Sequence, residues 1–256
     1  MAEWTKRFAL DGKWALVTGA SKGIGEECCR VLADAGANII ATARDEAGLA
    51  SVKAEVEALG RTCHVIAADL ADRDAPVAVG KRALELVGTV DILVNNAGVA
   101  LLDKLVDASV DDWDTTMAVN LRAPFLLART LAPAMIAQRS GKIVNISSQS
   151  GVIGLDRHGA YCASKGGLDQ LTRVMAIEWS PYNVQANSVC PNIVFTKLGR
   201  EVWGDPEKNR PMRERTPAGR FVEPVEVADL VLFLASPASD MITGSVHLID
   251  GGYVAA

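Results

Sequence analysis

Short runs rich in aliphatic and β-branched residues recur along the chain, separated by longer stretches in which apolar positions return three and four residues apart. The short runs cover residues 14–18, 37–42, 63–68, 92–95, 142–147, 185–189 and 246–249, and a turn or glycine signal closes each of them, so they predict strands. The longer stretches, 23–35, 46–59, 75–87, 110–138, 160–180 and 224–235, predict helices with one apolar face. Regular alternation of the two predicts parallel pairing, because parallel neighbours need a long crossover and a helix supplies it. The expected fold is α/β, with one doubly wound parallel sheet of seven strands covered by helices on both faces. Residues 196–221 break the rhythm, since Gly199, Gly204, Pro206, Pro211 and Pro217 alternate there with charges and with isolated large residues such as Trp203 and Met212. That composition predicts a lid over a substrate rather than a core element.

No repeat, linker or low-complexity tract divides the chain, and 256 residues of which 49% are hydrophobic suffice for one core, so a single domain over 1–256 is expected. The 26 basic and 31 acidic residues give a net charge of -5 without any run of Lys or Arg, which argues against nucleic acid or an anionic membrane surface as partner. No stretch approaches the roughly 18 uninterrupted apolar residues of a membrane helix, and the first ten residues lack the apolar centre of a targeting segment. Cys28, Cys29, Cys63, Cys162 and Cys190 are odd in number and show no C-x-x-C spacing. They read as reduced thiols of a cytoplasmic protein, and no metal is expected.

Chemistry enters directly after the first strand, where Thr18-Gly19-Ala20-Ser21-Lys22-Gly23-Ile24-Gly25 opens into a helix. Missing side chains let the backbone approach a pyrophosphate, and the free N–H groups and positive end of the helix attract it. On its own such a turn reads equally well as strand-to-helix punctuation. The second strand leads into Ala43 and Arg44, so the place where NAD enzymes usually offer a carboxylate to the ribose carries none. Arg44 with Lys22 favours the 2′-phosphate of NADP(H). Asp45 and Glu46, just beyond, keep NAD(H) open, as does the reading of both cations as solvated surface charges.

Tyr161 and Lys165 stand four apart at the head of a helix, which sets an ammonium beside a phenol. A free tyrosine titrates near 10, a neighbouring cation favours its phenolate, and an oxidised nicotinamide would add a second positive charge beside it. Ser148 lies just past the strand 142–147, where parallel sheets present residues to a ligand, and its hydroxyl can bond a reacting oxygen. Asn120, inside the helix 110–138, offers an amide that could hold a water between Lys165 and solvent.

The glycine turn, Asn95-Asn96-Ala97-Gly98, Asn120, Ser148, Tyr161 and Lys165 stand in the order and spacing of the short-chain dehydrogenase/reductase family, and the resemblance covers essentially the whole chain. It implies a Rossmann-like domain and an NAD(P)-dependent oxidoreductase of CH–OH and C=O groups. Tyr161 would be its acid and base, Ser148 would polarise the carbonyl, Lys165 would bind the nicotinamide ribose and lower the Tyr161 pKa, and Asn120 would support a water relay. Gly19, Ser21, Lys22, Gly23, Ile24, Gly25 and Arg44 would hold the phosphates, Asp69 and Leu70 would flank the adenine, and Asn96, Ala97 and Gly98 would line the dinucleotide groove. Pro191, Val194 and Thr196 complete the implied cofactor set, with Thr196 orienting the nicotinamide amide.

Within the family, Val99-Ala100-Leu101-Leu102, Asn120-Leu121-Arg122-Ala123, Ser147-Ser148-Gln149, His158-Gly159-Ala160-Tyr161-Cys162 and Trp203-Gly204-Asp205-Pro206 resemble the dicarbonyl and L-xylulose reductases and related polyol dehydrogenases. Pro191-Asn192 departs from the usual Pro-Gly in the same way. The likeness turns Gln149, His158 and Trp203 toward a substrate shared with Ser148 and Tyr161. Bonding of His158 to local backbone and packing of Trp203 in the lid are the alternatives. Asn192 either reaches the ligand or stands in for a turn glycine. The implied activity is hydride transfer between NADP(H) and a small ketose, polyol or α-dicarbonyl. Alternatives are a 3-oxoacyl thioester reductase whose Arg122 and Arg129 meet a carrier, an NAD-linked sugar-alcohol dehydrogenase, and a non-catalytic nucleotide sensor, which the complete Asn, Ser, Tyr and Lys set disfavours. The weakly charged end 250–256 and the helices 110–138 and 160–180 would build a homotetramer.

Overall fold

The computed structural model describes residues 3–256; Met1 and Ala2, the first residues of the expected domain, lie outside the described residues, as do the side chains of Leu198 and Val202. Strands β1 (Trp14–Thr18), β2 (Asn38–Ala43), β3 (Cys63–Ala67), β4 (Ile92–Asn95), β5 (Gly141–Ile146), β6 (Val184–Pro191) and β7 (Val246–Ile249) form one parallel sheet in the order β3-β2-β1-β4-β5-β6-β7. The helices are α1 (Gly23–Asp34), α2 (Glu46–Ala58), α3 (Ala75–Val87), α4 (Val110–Met117), α5 (Ala123–Gln138), α6 (Gly159–Trp179), α7 (Lys197–Trp203), α8 (Pro206–Glu214) and α9 (Pro224–Ala235). Register settles the ends that differ from expectation. Trp14 pairs with Asn38, so β2 starts one residue late, and Pro191 pairs with Ile249, so β6 runs on to Pro191.

Alternating side chains of each inner strand feed two cores. Ala15, Val17, Ile39, Ala41, Val94 and Val144 meet α1, α2 and α9 on one face, whereas Leu16, Ile40, Leu93 and Ile143 meet α3, α5 and α6 on the other. The edge strand β3 alternates buried and exposed positions, as an edge can. Among the described residues no helix is long and apolar enough to cross a membrane, no acidic, His or Cys group could hold a metal, and the five cysteines are free thiols.

Two elements depart from the sequence reading. The expected helix 110–138 is broken by a π turn at Ala118–Arg122, closed by a bond from Ala123 N–H to the Ala118 carbonyl. Pro124 explains it, because proline has no N–H to donate to the carbonyl four residues earlier, that of Asn120. The expected lid is not structureless but carries α7, capped by the Thr196 hydroxyl, and α8, capped by Asp205.

The sheet's order reverses between β1 and β4, and the turn from β1 into α1 lies there. Gly19 and Gly23 adopt φ of +63 each, and a Cβ on Gly25 would stand 2.3 Å from the Gly19 carbonyl oxygen and 2.5 Å from Asn96 Nδ2. The first turn of α1 can reach the β4 end only without that side chain. Gly25→Ala should therefore cost about 1–3 kcal/mol in denaturant unfolding, the usual range for overpacking. Gly154→Ala, which meets nothing within 4 Å, should stay within about 0.5 kcal/mol of the parent. Equal effects of the two would contradict the packing argument.

Candidate active site

A cleft of about 700 Å³ opens where the strand order reverses. Gly19, Ser21, Lys22, Gly23 and Ile24 form its floor, Arg44, Asp69 and Leu70 one end, and Asn96, Ala97, Gly98, Tyr161 and Thr196 the rest of its wall. Most of the expected cofactor set is thus brought together. Gly25, Lys165, Pro191 and Val194 stand behind the lining instead. Gly25 supports the turn from beneath, Pro191 ends β6, and Val194 is tied to the 222 strand bridge. Ala43, Asp45 and Val99, named from sequence without a binding role, also line the cleft, as do Ala68, Ala71, Thr115, Val119 and Lys197, which were not singled out. Lys197 had the clearest signal, a cation directly after Thr196.

The cleft fits a dinucleotide. The glycine cradle is one that Cβ atoms would fill: on Gly19 a Cβ would come within 2.9 Å of Ala97 Cα, and on Gly23 within 3.0 Å of Thr196 Cγ2. Glu26 accepts from Gly23 N–H at 3.1 Å and so caps α1 in this structure. No ion-pair partner holds Lys22 or Lys197 among the described residues, so two free ammonium groups face the cleft. Arg44 lies 3.6 Å from Asp69 with both side chains largely exposed. Such a pair is worth under about 1 kcal/mol and yields readily to a phosphate. Asp45 is engaged as the cap of α2, accepting from Gly48 N–H at 3.1 Å.

The β4 end is fastened to the glycine turn by two side chains. Thr18 Oγ1 accepts from Asn96 and Ala97 N–H at 2.9 Å each, and Asn96 Nδ2 donates to the carbonyls of Thr18 at 2.9 Å and Gly19 at 3.2 Å. Asn96 lines the groove, with its amide turned to the protein.

Beyond the groove lies the cluster of Ser148, Tyr161 and Lys165 expected to move a proton. Lys165, 3% exposed, donates from Nζ to the Ile146 carbonyl at 2.7 Å, at the end of β5, and stands 5.6 Å from the centre of the Tyr161 ring. Burial lowers its pKa from 10.5 to about 8. The Ser148 hydroxyl accepts from Ser150 N–H at 3.1 Å and lies in hydrogen-bond reach of the phenol. Burial nevertheless pushes the Tyr161 phenol above 10, and the Ser148 contact offsets it only in part. In the protein by itself desolvation is thus the largest influence on the phenol, before any positive charge of an oxidised nicotinamide is added. Asn120 is 1% exposed. Its Oδ1 accepts from Val99 N–H at 2.9 Å, and its Nδ2 donates to the Val99 carbonyl at 2.9 Å and to Ser164 Oγ at 3.1 Å, so the amide ties the 98–99 turn to α6. Pro124, with no N–H, removes the usual helical donor to the Asn120 main-chain carbonyl.

Of the residues expected at a substrate, Gln149 and His158 adjoin this cluster. Gln149 follows Ser148, is 4% exposed, and leaves Oε1 buried without a partner. His158 has its ring edge-on to Tyr161, with centroids 6.2 Å apart, while Nδ1 meets the Asp156 carbonyl at 2.6 Å. Nδ1 must then carry the hydrogen in the neutral ring, which makes Nε2 an acceptor. Local backbone bonding and proximity to the site hold together. Asn192 has no positive φ and so does not replace a glycine on conformational grounds; its Nδ2 approaches Thr216 Oγ1 of the lid at 3.5 Å, and its Oδ1 has no partner. Trp203 packs edge-on against Phe221 at 6.4 Å, and of the residues expected at a substrate only Tyr161 lines the cleft itself; Ser148, Gln149, His158, Asn192 and Trp203 lie outside that lining. Arg122 donates from Nη2 to the Ala71 carbonyl at 2.7 Å.

Known proteins share this arrangement. Residues 19–254 match the family model described as enoyl-(acyl carrier protein) reductase. L-Xylulose reductase of Bos taurus is 43% identical over 247 residues, 96% of this chain and 98% of its own length. The NAD-dependent glycerol dehydrogenase of Listeria innocua is 40% identical over 253 residues, 97% of this chain and 96% of its own. A gluconate 5-dehydrogenase from Burkholderia cenocepacia, solved with NADP and tartrate, superposes with a TM-score of 0.93 at 36% identity, covering 99% of this chain and 100% of its own. Sequence, sheet order and cleft agree that the chain belongs to the short-chain dehydrogenase/reductase family of NAD(P)-dependent oxidoreductases.

Proposed function

We propose that the enzyme reduces the carbonyl of a small polyhydroxylated ketone or α-dicarbonyl with NADPH, and oxidises the matching polyol in reverse. One observation carries the substrate class: the His158 ring stands edge-on to Tyr161 with Nδ1 held by the Asp156 carbonyl, which leaves Nε2 as an acceptor beside the phenol. A polar group next to the reacting residue suits a ligand with several hydroxyls, and an apolar acyl chain would leave it unsatisfied. The name of the 43% identical relative, L-xylulose reductase, supports the same class. For the cofactor, Arg44 and Lys22 at the adenosine end, with Ala43 in place of a carboxylate, support NADP(H).

When bound, the reduced nicotinamide supplies the hydride. The protein's part is the proton. Ser148, oriented by Ser150 N–H, donates to the carbonyl oxygen, and the neutral Tyr161 phenol gives that oxygen its proton. The Lys165 ammonium, fixed on Ile146, stabilises the phenolate left behind, and the Asn120 carbonyl holds the water that reprotonates it. Asn192, through Thr216, couples the lid to the end of β6. Exposed Phe125 on α5 and Val174 and Ile177 on α6 supply apolar surface for the homotetramer.

Tyr161→Phe should lower kcat for reduction by about 100- to 10,000-fold; turnover within tenfold of the parent would remove the phenol as donor. Arg44→Ala should weaken NADPH about 10- to 100-fold, the worth of a charge-assisted bond, and NADH less than threefold. Equal losses in a fluorescence titration would contradict the 2′-phosphate assignment. Xylulose, erythrulose, diacetyl and an acetoacetyl thioester, assayed with both reduced cofactors, test the substrate class, and a preference for the thioester would overturn it.

A further inference from the structure

One turn below Lys165 on the same face of α6, Asp169 is buried at 3% exposure, and the chemistry above makes no use of it. A carboxylate so placed is costly unless something requires it. Three elements close around it. From β6, Cys190 Sγ approaches both carboxylate oxygens at 3.8 and 3.9 Å, and the Ser188 hydroxyl donates to it. From the end of β5, the Ser147 hydroxyl donates to the Lys165 carbonyl at 3.2 Å and lies in hydrogen-bond reach of the carboxylate. The turn Gln149–Gly151 lies directly on top: a Cβ on Gly151 would stand 2.6 Å from Asp169 Oδ2 and 2.9 Å from the Lys165 carbonyl carbon. Ile146 ends β5, Ser148 opens the 149–151 turn and Lys165 lies on α6 with Asp169, so the carboxylate sits where the elements that carry the proposed proton-transfer residues meet.

We propose that Asp169 is a positioning residue for the Tyr161–Lys165 pair, its buried carboxylate serving as the counter-charge that keeps the Lys165 ammonium protonated and seated on the Ile146 carbonyl. This rests on the assignment of Tyr161 and Lys165 as the proton-transfer pair. The charges that bear on the lysine leave the task to Asp169. Arg173, on the same helix, is exposed and of the wrong sign, and Asp114 and Arg122 lie on the far side of α6 beyond Gly167 and Leu171. The Cys190 thiol, pushed up to about 12 by burial and by Asp169, is neutral where the lysine titrates. The segments of β5 and the 149–151 turn bring only hydroxyls and an amide. Burial pulls the ammonium toward deprotonation near pH 8, and the carboxylate resists.

The sign of the effect follows. Lys165 is required charged, so kcat/KM for reduction falls as pH rises through its pKa. Removing the counter-charge lowers that pKa further, and the alkaline limb of the profile moves to lower pH. Asp169→Asn, which keeps shape and loses charge, should move the limb down by about one unit, so that kcat/KM falls about tenfold more at pH 9 than at pH 6. Asp169→Ser should do the same if the asparagine variant fails to fold. A folded variant with a lowered melting temperature but an unmoved limb would overturn the proposal and leave Asp169 a structural residue. A parent enzyme without an alkaline limb, or Lys165→Met with undiminished turnover, would instead overturn the pair assignment beneath it.

Discussion

A lysine ammonium lies almost wholly out of water at the end of the fifth strand, and one carbonyl, that of Ile146, meets it at 2.7 Å. Much of the site is arranged to make that tolerable. An isolated buried ammonium would lose its proton, since burial penalises the charged form by several kcal/mol. Here a strand-end carbonyl takes one of its hydrogens, an uncharged phenol lies 5.6 Å away, and a carboxylate stands one turn along the helix.

The fold serves this arrangement by bringing strand ends together. Parallel strands β1, β4, β5 and β6 all finish at one edge of the sheet, and each contributes buried polar residues at or before its end: Thr18, Asn95, Asn145 with Ser147 just beyond, and Ser188. A buried chain of hydrogen bonds links them, from Asn95 to Asn145 at 2.8 Å, to Thr172 of α6 at 2.8 Å, and to Ser188 at 3.0 Å. It ties the helix bearing Tyr161 and Lys165 to three strands at once. Such satisfied networks fix geometry more than they add stability. The glycine turn is locked to the same strand ends through Thr18 and Asn96, so cofactor cleft and proton-transfer cluster share one frame.

Periodicity made the strands and most helices readable, because alternating and helical patterns are local and the buried faces obey them. The residues of the glycine turn and the Tyr–Lys pair were readable for the same reason, as both are spacings within one element. What escaped the sequence depends on groups distant along the chain. The π turn needed Pro124 to be weighed against Asn120 four residues earlier, and the fate of the Asn120 amide depended on Val99 and Ser164. The upward push on the Tyr161 phenol is a property of packing, and a spacing of four residues carries only the proximity of the cation. The helices of the lid are short, rich in proline and weakly patterned, which hid them, although their caps Thr196 and Asp205 are legible once looked for. Lys197 and Asp169 stood in plain view without a motif to mark them.

The central claim is that the protein's own groups hold the Tyr161 phenol neutral and that the added positive charge of an oxidised nicotinamide is needed to bring it down. An ultraviolet difference titration of tyrosinate, comparing the parent with Tyr161→Phe, isolates that one group, and repeating it with saturating NADP⁺ measures the cofactor's effect. The account predicts ionisation above 10 for the protein by itself and at a clearly lower pH with NADP⁺ bound. A phenol that already ionises near neutrality without the cofactor, or one that NADP⁺ leaves unmoved, would contradict it.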